Sequence, residues 1–460
     1  MELTELRNRI RGDVMTSVDA GYEDLRRSMV WNQLVPQRRP RAIVQAAGED
    51  DVVEAIRFAR ANRLKVAVRG AGHSWVGYSL HDDSLLLDLG SLNKVSIDRE
   101  ARIAVIQPAV HGREFSELLA AQGLAFPVGH CPTVAMSGFL LNGGLGWNFN
   151  ARGPSCFSIE AARVVTADGR LIAADERQNS DLLWAVRGAG PGFFGVVTEY
   201  ILRLYPAPSA ITTSNYCYPL ERAKEVGIWA GKVARQLPAH VELTVFVASS
   251  PSPIANRCAS NMGLARILNA TAFVDSADEG ASTLSILNSC PVASDCLLKE
   301  PNLSTPIDAL LDIGALLWPE GHRYLAATLW TNSPPGDVLA TLGDHFMRAA
   351  SLKSHGVLVF STGDRSPLPD GAYSMTADAL LLCYAVWERA EDDAANTDWH
   401  RTTITALERY AIGHYVGESD IIGEPRRAER SYTKSNWERL QQLRRKYDPD
   451  GLFLTHTSSS

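Results

Sequence analysis

The chain has 460 residues, of which 45% are hydrophobic and 21% are charged, so it is long enough to form about two or three hydrophobic cores. Its formal net charge of −7 does not suggest the basic face that nucleic-acid-binding proteins present, and we expect no nucleic-acid partner. The first residues contain no apolar run typical of a signal peptide or a membrane helix, so we expect a cytoplasmic protein without a membrane partner. The seven cysteines are widely scattered and odd in number, which argues against a disulfide framework, and no CxxC or HExxH pattern indicates a metal site.

The region from about residue 36 to residue 207 alternates short apolar strands, helices and glycine turns, which is typical of a mixed α and β domain. The expected elements are, in chain order, a helix at 51–62, strands at 64–68 and 84–89, a hairpin from 95–98 and 103–107, a helix at 114–122 that ends at Gly123, a hairpin from 162–166 and 170–174, a helix at 181–186 and a strand at 194–204.

After about residue 208 glycine motifs become rare and longer mixed segments appear. Residues 221–237, 324–331 and 379–387 favour a second domain, built as a sheet with helices on one face. Residues 432–447 predict a C-terminal helix with an apolar side.

Three glycine-rich stretches lie in the first domain, at 69–75, 137–146 and 187–195. Such turns leave backbone N–H groups free to point at phosphate oxygens. The third stretch spells GxGxxG but leads into a strand, whereas a Rossmann site needs the reverse order, so we discount that match. Three stretches in one domain favour a long phosphate-bearing ligand wrapped by the backbone.

His73 lies inside the first stretch, and Cys131 lies just before the second. An imidazole and a thiolate are both nucleophiles that can bond to an electrophilic ring. The residue types alone equally allow a packed histidine and a buried thiol.

Several longer segments resemble the vanillyl-alcohol-oxidase-type (PCMH-type) FAD-binding domain, and two near the C-terminus resemble its berberine-bridge-enzyme-like branch. These segments are RGAGHSWVGY at 69–78, GHCPTVAMSGFLLNGGLG at 129–146, VVTADG at 164–169, the run at 181–206, YVGESD at 415–420 and NWERLQQLRRKYDPDGLF at 436–453. The similarity spans nearly the whole chain and is weakest from about 215 to 400.

The resemblance implies that FAD is the cofactor and is held covalently. It assigns His73 to the bond with the 8α-methyl carbon of the flavin and Cys131 to the bond with C6. The other cofactor-binding residues that it implies are Arg69, Gly70, Ala71, Gly72, Ser74, Val134, Ser137, Gly138, Asn142, Gly143, Gly144, Gly195, Val196, Val197 and Asn436. Val134 is a small residue at a position where relatives that react with O₂ carry one, which favours an oxidase that releases H₂O₂; packing in a strand is the alternative for Val134.

The substrate site departs from the family pattern. Many relatives have a tyrosine in a YxNY segment that helps to take a proton, and here Glu418 holds that position. Glu418 is therefore a candidate base, or it pairs with an arginine such as Arg426. Tyr415 and Trp75 are further catalytic candidates, with core packing or filling of the domain interface as their alternative roles.

The sequence thus predicts an α+β, two-domain vanillyl-alcohol-oxidase-type fold. Its FAD-binding domain is expected at 36–207, a sheet-plus-helices substrate domain at 208–420, and a segment that returns to the FAD domain at 421–457. The predicted reaction removes a hydride from a carbon bearing an alcohol or amine in a small substrate, such as a sugar, an alkaloid-like amine or a natural-product intermediate, and O₂ reoxidises the flavin. The alternatives are a dehydrogenase with another electron acceptor, a flavin-binding protein without turnover, and a cyclase. We expect a monomer or a homodimer.

Overall fold

The computed structural model describes residues 3–249, 264–363 and 367–455. It has the predicted two-domain α+β fold. The first domain contains two larger sheets and a small two-stranded one, and the second contains one large sheet. Cys258 and residues 456 and 457 lie outside the described residues, and the domain bounds at 36, 207, 420 and 457 stay predictions.

The first sheet is mostly parallel and carries the loop with His73 at one end. Its strands lie in the order β1, β2, β4, β3, and β2, β4 and β3 run parallel. Every residue of β4 is buried, as expected for a parallel strand covered on both faces. The elements are α1 (Leu3–Arg7), β1 (Asp13–Thr16), α2 (Tyr22–Ser28), β2 (Ala42–Gln45), α3 (Glu49–Ala61), β3 (Val66–Arg69) and β4 (Leu85–Asp88).

The second sheet contains both predicted hairpins, which the structure confirms. Its strands lie in the order β5, β6, β10, β8, β9, and every neighbouring pair is antiparallel. Gly169 turns the second hairpin at φ 73°, a left-handed conformation that favours glycine. The elements are β5 (Val95–Asp98), β6 (Ile103–Ile106), α4 (Gly112–Ala120), β7 (Leu124–Ala125), α5 (Met136–Leu141), α6 (Phe149–Arg152), β8 (Ile159–Thr166), β9 (Leu171–Ala174), α7 (Ser180–Val186), β10 (Gly195–Arg203) and β11 (Tyr205–Pro206).

The second domain is built on an antiparallel sheet of seven strands in the order β15, β12, β14, β13, β17, β18, β16. Residues on one face, such as Leu358 and Leu381, pack with α8, α11 and α12. The alternate residues, such as Leu380 and Leu382, face the first domain. The elements are β12 (Ala210–Pro219), α8 (Ala223–Ala234), β13 (Val241–Ser249), β14 (Leu264–Val274), α9 (Ala277–Leu284), β15 (Leu298–Ser304), α10 (Ile307–Leu317), β16 (Arg323–Thr331), α11 (Pro335–Phe346), β17 (His355–Phe360), β18 (Ala379–Trp387) and α12 (Asp393–Leu407).

The C-terminal segment returns to the first domain through α13 (Arg426–Glu429) and α14 (Lys434–Tyr447). Thr433 caps α14, since its side chain accepts a hydrogen bond from the backbone N–H of Asn436. The backbone of Val66 on β3 donates to Leu452 at 2.9 Å and accepts from Leu454 at 2.9 Å, so the tail continues the edge of the first sheet.

Within the described chain, none of the helices combines the length and the apolar character that crossing a bilayer requires. The cysteines of the described ranges form no disulfide.

Candidate active site

A cavity of about 340 Å³ lies between the sheets, and both domains line it. Most of the residues predicted from the sequence meet on its wall. They are Arg69, Gly70, Ala71, Gly72, His73, Ser74, Trp75, Cys131, Val134, Ser137, Gly138, Asn142, Gly195, Val196, Val197, Tyr415 and Glu418.

The loop after β3 presents backbone N–H groups that have no protein partner. Two of its carbonyl groups are occupied: Gly72 accepts from the backbone of Trp31 at 3.0 Å, and Trp75 accepts from the side chain of Asn32 at 2.7 Å. None of the N–H groups of residues 70–76 meets an acceptor among the described residues. Successive N–H groups of this kind form an anion-binding concavity, which fits a pyrophosphate.

Gly72 makes this loop possible in two ways. Its φ of 75° is a left-handed conformation, and a Cβ there would approach the carbonyl oxygen of Met29 to 2.3 Å. The side chain of Arg69 turns away from the loop, where it donates to Asp88 at 2.7 Å and to the carbonyl of Met29 at 3.1 Å. The backbone of the loop, rather than the guanidinium of Arg69, therefore faces the ligand.

His73 is held in a fixed orientation by two neighbours. Its Nε2 lies 3.0 Å from the hydroxyl of Thr133, and its ring stacks on Trp31 with centroids 4.6 Å apart. Burial, together with the nearby His111 and Arg69, lowers the pKa of His73 to about 3. The imidazole is therefore neutral near pH 7, and the backbone of Thr133 is a further hydrogen-bonding partner of the ring.

Cys131 lies on the other side of the same threonine. Its Sγ is 3.6 Å from the hydroxyl of Thr133, so Thr133 bridges the two side chains that the sequence singled out. Burial raises the pKa of Cys131, although the hydrogen bond with Thr133 opposes this shift. The thiol is consequently protonated at neutral pH.

Glu418 ends a short turn at Val416–Glu418 and presents its carboxylate to the cavity. The hydroxyl of Tyr384 donates to it, and the side chain of Trp75 is a second hydrogen-bonding partner. Burial raises the pKa of Glu418, and the hydrogen bonds together with the nearby His130 offset this shift only in part. Arg426 does not pair with Glu418 within the described residues, so the structure does not realise the predicted ion-pair alternative.

Tyr415 is buried, and its hydroxyl accepts hydrogen bonds from the backbone N–H groups of Gly144 and Leu145. Burial raises its pKa above the usual tyrosine range. Both features favour a role in holding the glycine turn over a role as a base. Trp75 packs between Tyr324 and Tyr384, with ring centroids 5.1 and 5.7 Å away.

The sequence profile of the FAD binding domain family matches residues 40–175, and that of the berberine and berberine-like family matches residues 414–458. This chain is therefore an FAD-linked oxidoreductase that carries an FAD binding domain and a berberine-like C-terminal segment. It is 29% identical to the FAD-linked oxidoreductase penO of Penicillium crustosum over 93% of this chain and 92% of that protein. It is 31% identical to the (R)-6-hydroxynicotine oxidase of Paenarthrobacter nicotinovorans over 55% of this chain and 56% of that one.

Among solved structures, the berberine bridge enzyme of Eschscholzia californica superposes with a TM-score of 0.83 at 19% identity, covering 99% of this chain and 98% of that chain. The site of this FAD-linked oxidoreductase also suits its cofactor on its own geometry. Besides the unpartnered N–H groups of residues 70–76, the side-chain oxygen of Asn142 is buried without a hydrogen-bond partner on the cavity wall. FAD carries the phosphate acceptors and the ring N–H donor that such groups can bind.

Three residues of the predicted cofactor set do not lie on the cavity wall, and their assignment to the cofactor stays a prediction. Gly143 faces Tyr373, whose ring a Cβ at Gly143 would approach to 2.4 Å. The N–H of Gly144 is used by Tyr415. The side chain of Asn436 donates to the carbonyls of residues 371 and 372, at 2.8 and 3.2 Å, and is therefore committed to the protein.

Other residues of the site were missing from the sequence prediction. Trp31 lies before the predicted start of the domain, and its stacking on His73 had no local sequence signal. Thr133 lies in the CPTV segment, two residues after Cys131, and this closeness in the sequence was a signal that its hydroxyl could contact the site. Tyr384 belongs to β18, which is buried on both faces and shows no alternation that would mark a cavity-facing residue. In the described part of the chain, no group of His, Cys, Asp or Glu side chains is arranged to hold a metal ion.

Proposed function

We propose that this protein is an FAD-dependent oxidase that removes a hydride from a carbon bearing an alcohol or amine group, with Glu418 as its catalytic base. The observation that carries the proposal is the buried Glu418 carboxylate on the cavity wall, which has hydrogen-bond donors and the nearby His130 but no lysine or arginine partner among the described residues. A carboxyl group whose pKa is raised by burial is suited to take a proton in the transition state.

The proposed reaction breaks one C–H bond and one O–H or N–H bond of the substrate. The hydride of the C–H bond and the proton of the O–H or N–H bond go to two different acceptors. FAD, held by the loop at residues 70–76 and by His73 and Cys131, would supply the hydride acceptor and the path of the two electrons to O₂. Glu418 takes the hydroxyl or amine proton, which leaves a ketone, an aldehyde or an imine. Tyr384 and Trp75 orient the carboxylate through their hydrogen bonds, and the apolar surroundings exclude water. With two protons, O₂ leaves as H₂O₂.

We further propose that His73 and Cys131 hold FAD covalently. The low pKa of His73 keeps its imidazole neutral, and since Nε2 lies against the hydroxyl of Thr133, Nδ1 is the nucleophile that we assign. Cys131 must first lose its proton, and the hydrogen bond to Thr133 favours the thiolate. Each attachment exchanges one C–H bond of the flavin for a C–N or C–S bond, and O₂ takes up the two electrons and two protons that are released.

Two observations support O₂ as the electron acceptor. Val134 lines the cavity with a small side chain next to the segment that carries Cys131. The relative with 31% identity, from Paenarthrobacter nicotinovorans, is named an oxidase.

The test of this function is anaerobic mixing of the purified holoenzyme with a panel of sugars, cyclic amines and ring alcohols, followed by the addition of O₂. The proposal expects bleaching of the flavin absorbance by one class of compound, and then rapid reoxidation with one H₂O₂ per substrate. Bleaching with slow reoxidation by O₂ but fast reoxidation by a dye would make the protein a dehydrogenase. Product formation without peroxide would indicate a cyclase, and the absence of any bleaching would indicate a flavin-binding protein without turnover.

A further inference from the structure

One wall of the cavity is formed by the large sheet of the second domain and offers almost only hydrocarbon. The residues that this sheet contributes are Thr244 and Phe246 from β13, Val357 and Val359 from β17, and Leu380, Leu382 and Tyr384 from β18. They are alternate residues of three neighbouring strands, so they share one face of the sheet.

The two hydroxyl groups on this wall are already committed as donors. Tyr384 donates to Glu418, and Thr244 donates to the carbonyl of Asn269 at 3.4 Å. The main-chain groups of β13, β17 and β18 are paired in their antiparallel ladders. The wall therefore leaves a substrate hydroxyl with hardly any partner, and burying an unpaired hydroxyl is unfavourable.

Aromatic rings close the cavity beside Glu418. Tyr384 lies between Trp75 and Trp318, with ring centroids 5.7 and 5.6 Å away, and both contacts are edge-to-face. Such rings bind the faces and edges of other apolar rings well.

Charged partners for a polar substrate are equally few. Arg69 is the only lysine or arginine among the described residues of the cavity wall, and Asp88 holds its guanidinium at 2.7 Å. His130, on the wall beside Cys131, has its Nε2 3.3 Å from the buried carboxylate of Glu242. A substrate carboxylate or phosphate would find no uncommitted cation there.

We infer that the substrate is an apolar ring compound with a single oxidisable alcohol or amine group, and that sugars and acidic compounds are excluded. This inference rests on the proposed function, since Glu418 would receive the proton of that one polar group. The sheet wall is hydrocarbon, and the unpaired polar side-chain atoms on the cavity wall are few, among them the indole N–H of Trp318 and the side-chain oxygen of Asn142, so most additional hydroxyls of a sugar would lose their hydrogen bonds with water and gain no replacement.

Binding and turnover are tested separately, so that the substrate class and the oxidase function can fail independently. The holoenzyme is titrated under anaerobic conditions with 2-naphthol, which has no C–H bond that can leave as hydride, and with cellobiose. The shift of the flavin absorbance reports binding. We expect 2-naphthol to bind at a concentration at least about tenfold lower than cellobiose. Tighter binding of cellobiose, or no binding of 2-naphthol, would overturn the inference.

A pair of isosteric variants locates the binding surface. Val359→Thr places a hydroxyl on the apolar wall and should weaken 2-naphthol binding by about threefold to tenfold. Val95→Thr, at a half-buried position of β5 away from the cavity, should leave binding unchanged. An unchanged affinity in Val359→Thr would also overturn the inference.

Turnover is then measured with 9-hydroxyfluorene and D-glucose. Bleaching of the flavin by 9-hydroxyfluorene alone would support both proposals. Tight binding of 2-naphthol without bleaching by any compound would refute the oxidase function and leave the apolar site established. Bleaching by glucose alone would refute the substrate class and leave the oxidase function intact.

Discussion

Replacing Glu418 by glutamine tests the assignment of the base without disturbing the shape of the site. The amide oxygen of glutamine can still accept the hydrogen bond from Tyr384, so the local packing should persist. General acid–base catalysis contributes roughly 10²- to 10⁴-fold to a rate, and we expect the rate constant of flavin reduction in Glu418→Gln to fall by about that factor.

The pH dependence gives a second, independent reading of the same change. Because burial raises the pKa of Glu418, the reduction rate of the wild-type enzyme should rise with pH through an ionisation above the usual carboxyl range. The rise should vanish in Glu418→Gln. In Tyr384→Phe the carboxylate loses a donor that lowers its pKa, so the rise should move to higher pH.

The assay is anaerobic stopped-flow reduction over a range of substrate concentration and pH, with the FAD content of each variant measured first. Glu221→Gln, at an exposed position of the second domain, is the matched control and should behave like the wild type. A reduction rate within about threefold of the wild type in Glu418→Gln, or an unchanged pH profile, would refute the reasoning.

Two further predictions concern the neighbours of the cavity. Thr133→Val removes the hydroxyl between His73 and Cys131, so less FAD should stay attached to the protein after acid precipitation. The exposed variant Thr405→Val is the control, and its share of attached FAD should be well above that of Thr133→Val. Equal shares in the two variants would contradict the bridging role of Thr133. Burial lowers the pKa of His355 from 6.5 to about 4, so the unfolded chain binds more protons in that interval and stability should decline as pH falls through it. His355→Gln should reduce that decline by up to about 3 kcal/mol, measured from urea unfolding at pH 7 and pH 4, and an identical decline in both proteins would contradict the assignment.

The local elements of this fold could be predicted because their signals lie within a few residues. The hairpin at Gly169 and the loop containing Gly72 both depend on left-handed glycines and short apolar strands, and both are where the sequence indicated. Two carbonyls of this loop, those of Gly72 and Trp75, accept hydrogen bonds from Trp31 and Asn32, partners that the sequence did not indicate.

The substrate side of the site could not be predicted to the same depth. β18 is buried on both faces, so its hydropathy does not distinguish Tyr384, which faces the cavity, from Cys383, which faces the helices. The fate of Glu418 was equally open, because an ion pair and a free buried carboxylate differ only in which distant residue packs beside it. Position 143 carries a glycine, as the family pattern does, but a Cβ at this position would meet the ring of Tyr373.

The attachment of FAD is the part of the account on which the rest depends. We would precipitate wild type, His73→Ala, Cys131→Ala and the double variant with acid, and record the flavin absorbance and intact mass of each pellet. We expect the mass of one FAD to stay with the wild type and with each single variant, and to be lost from the double variant. Release of the flavin from the wild-type protein would contradict this expectation.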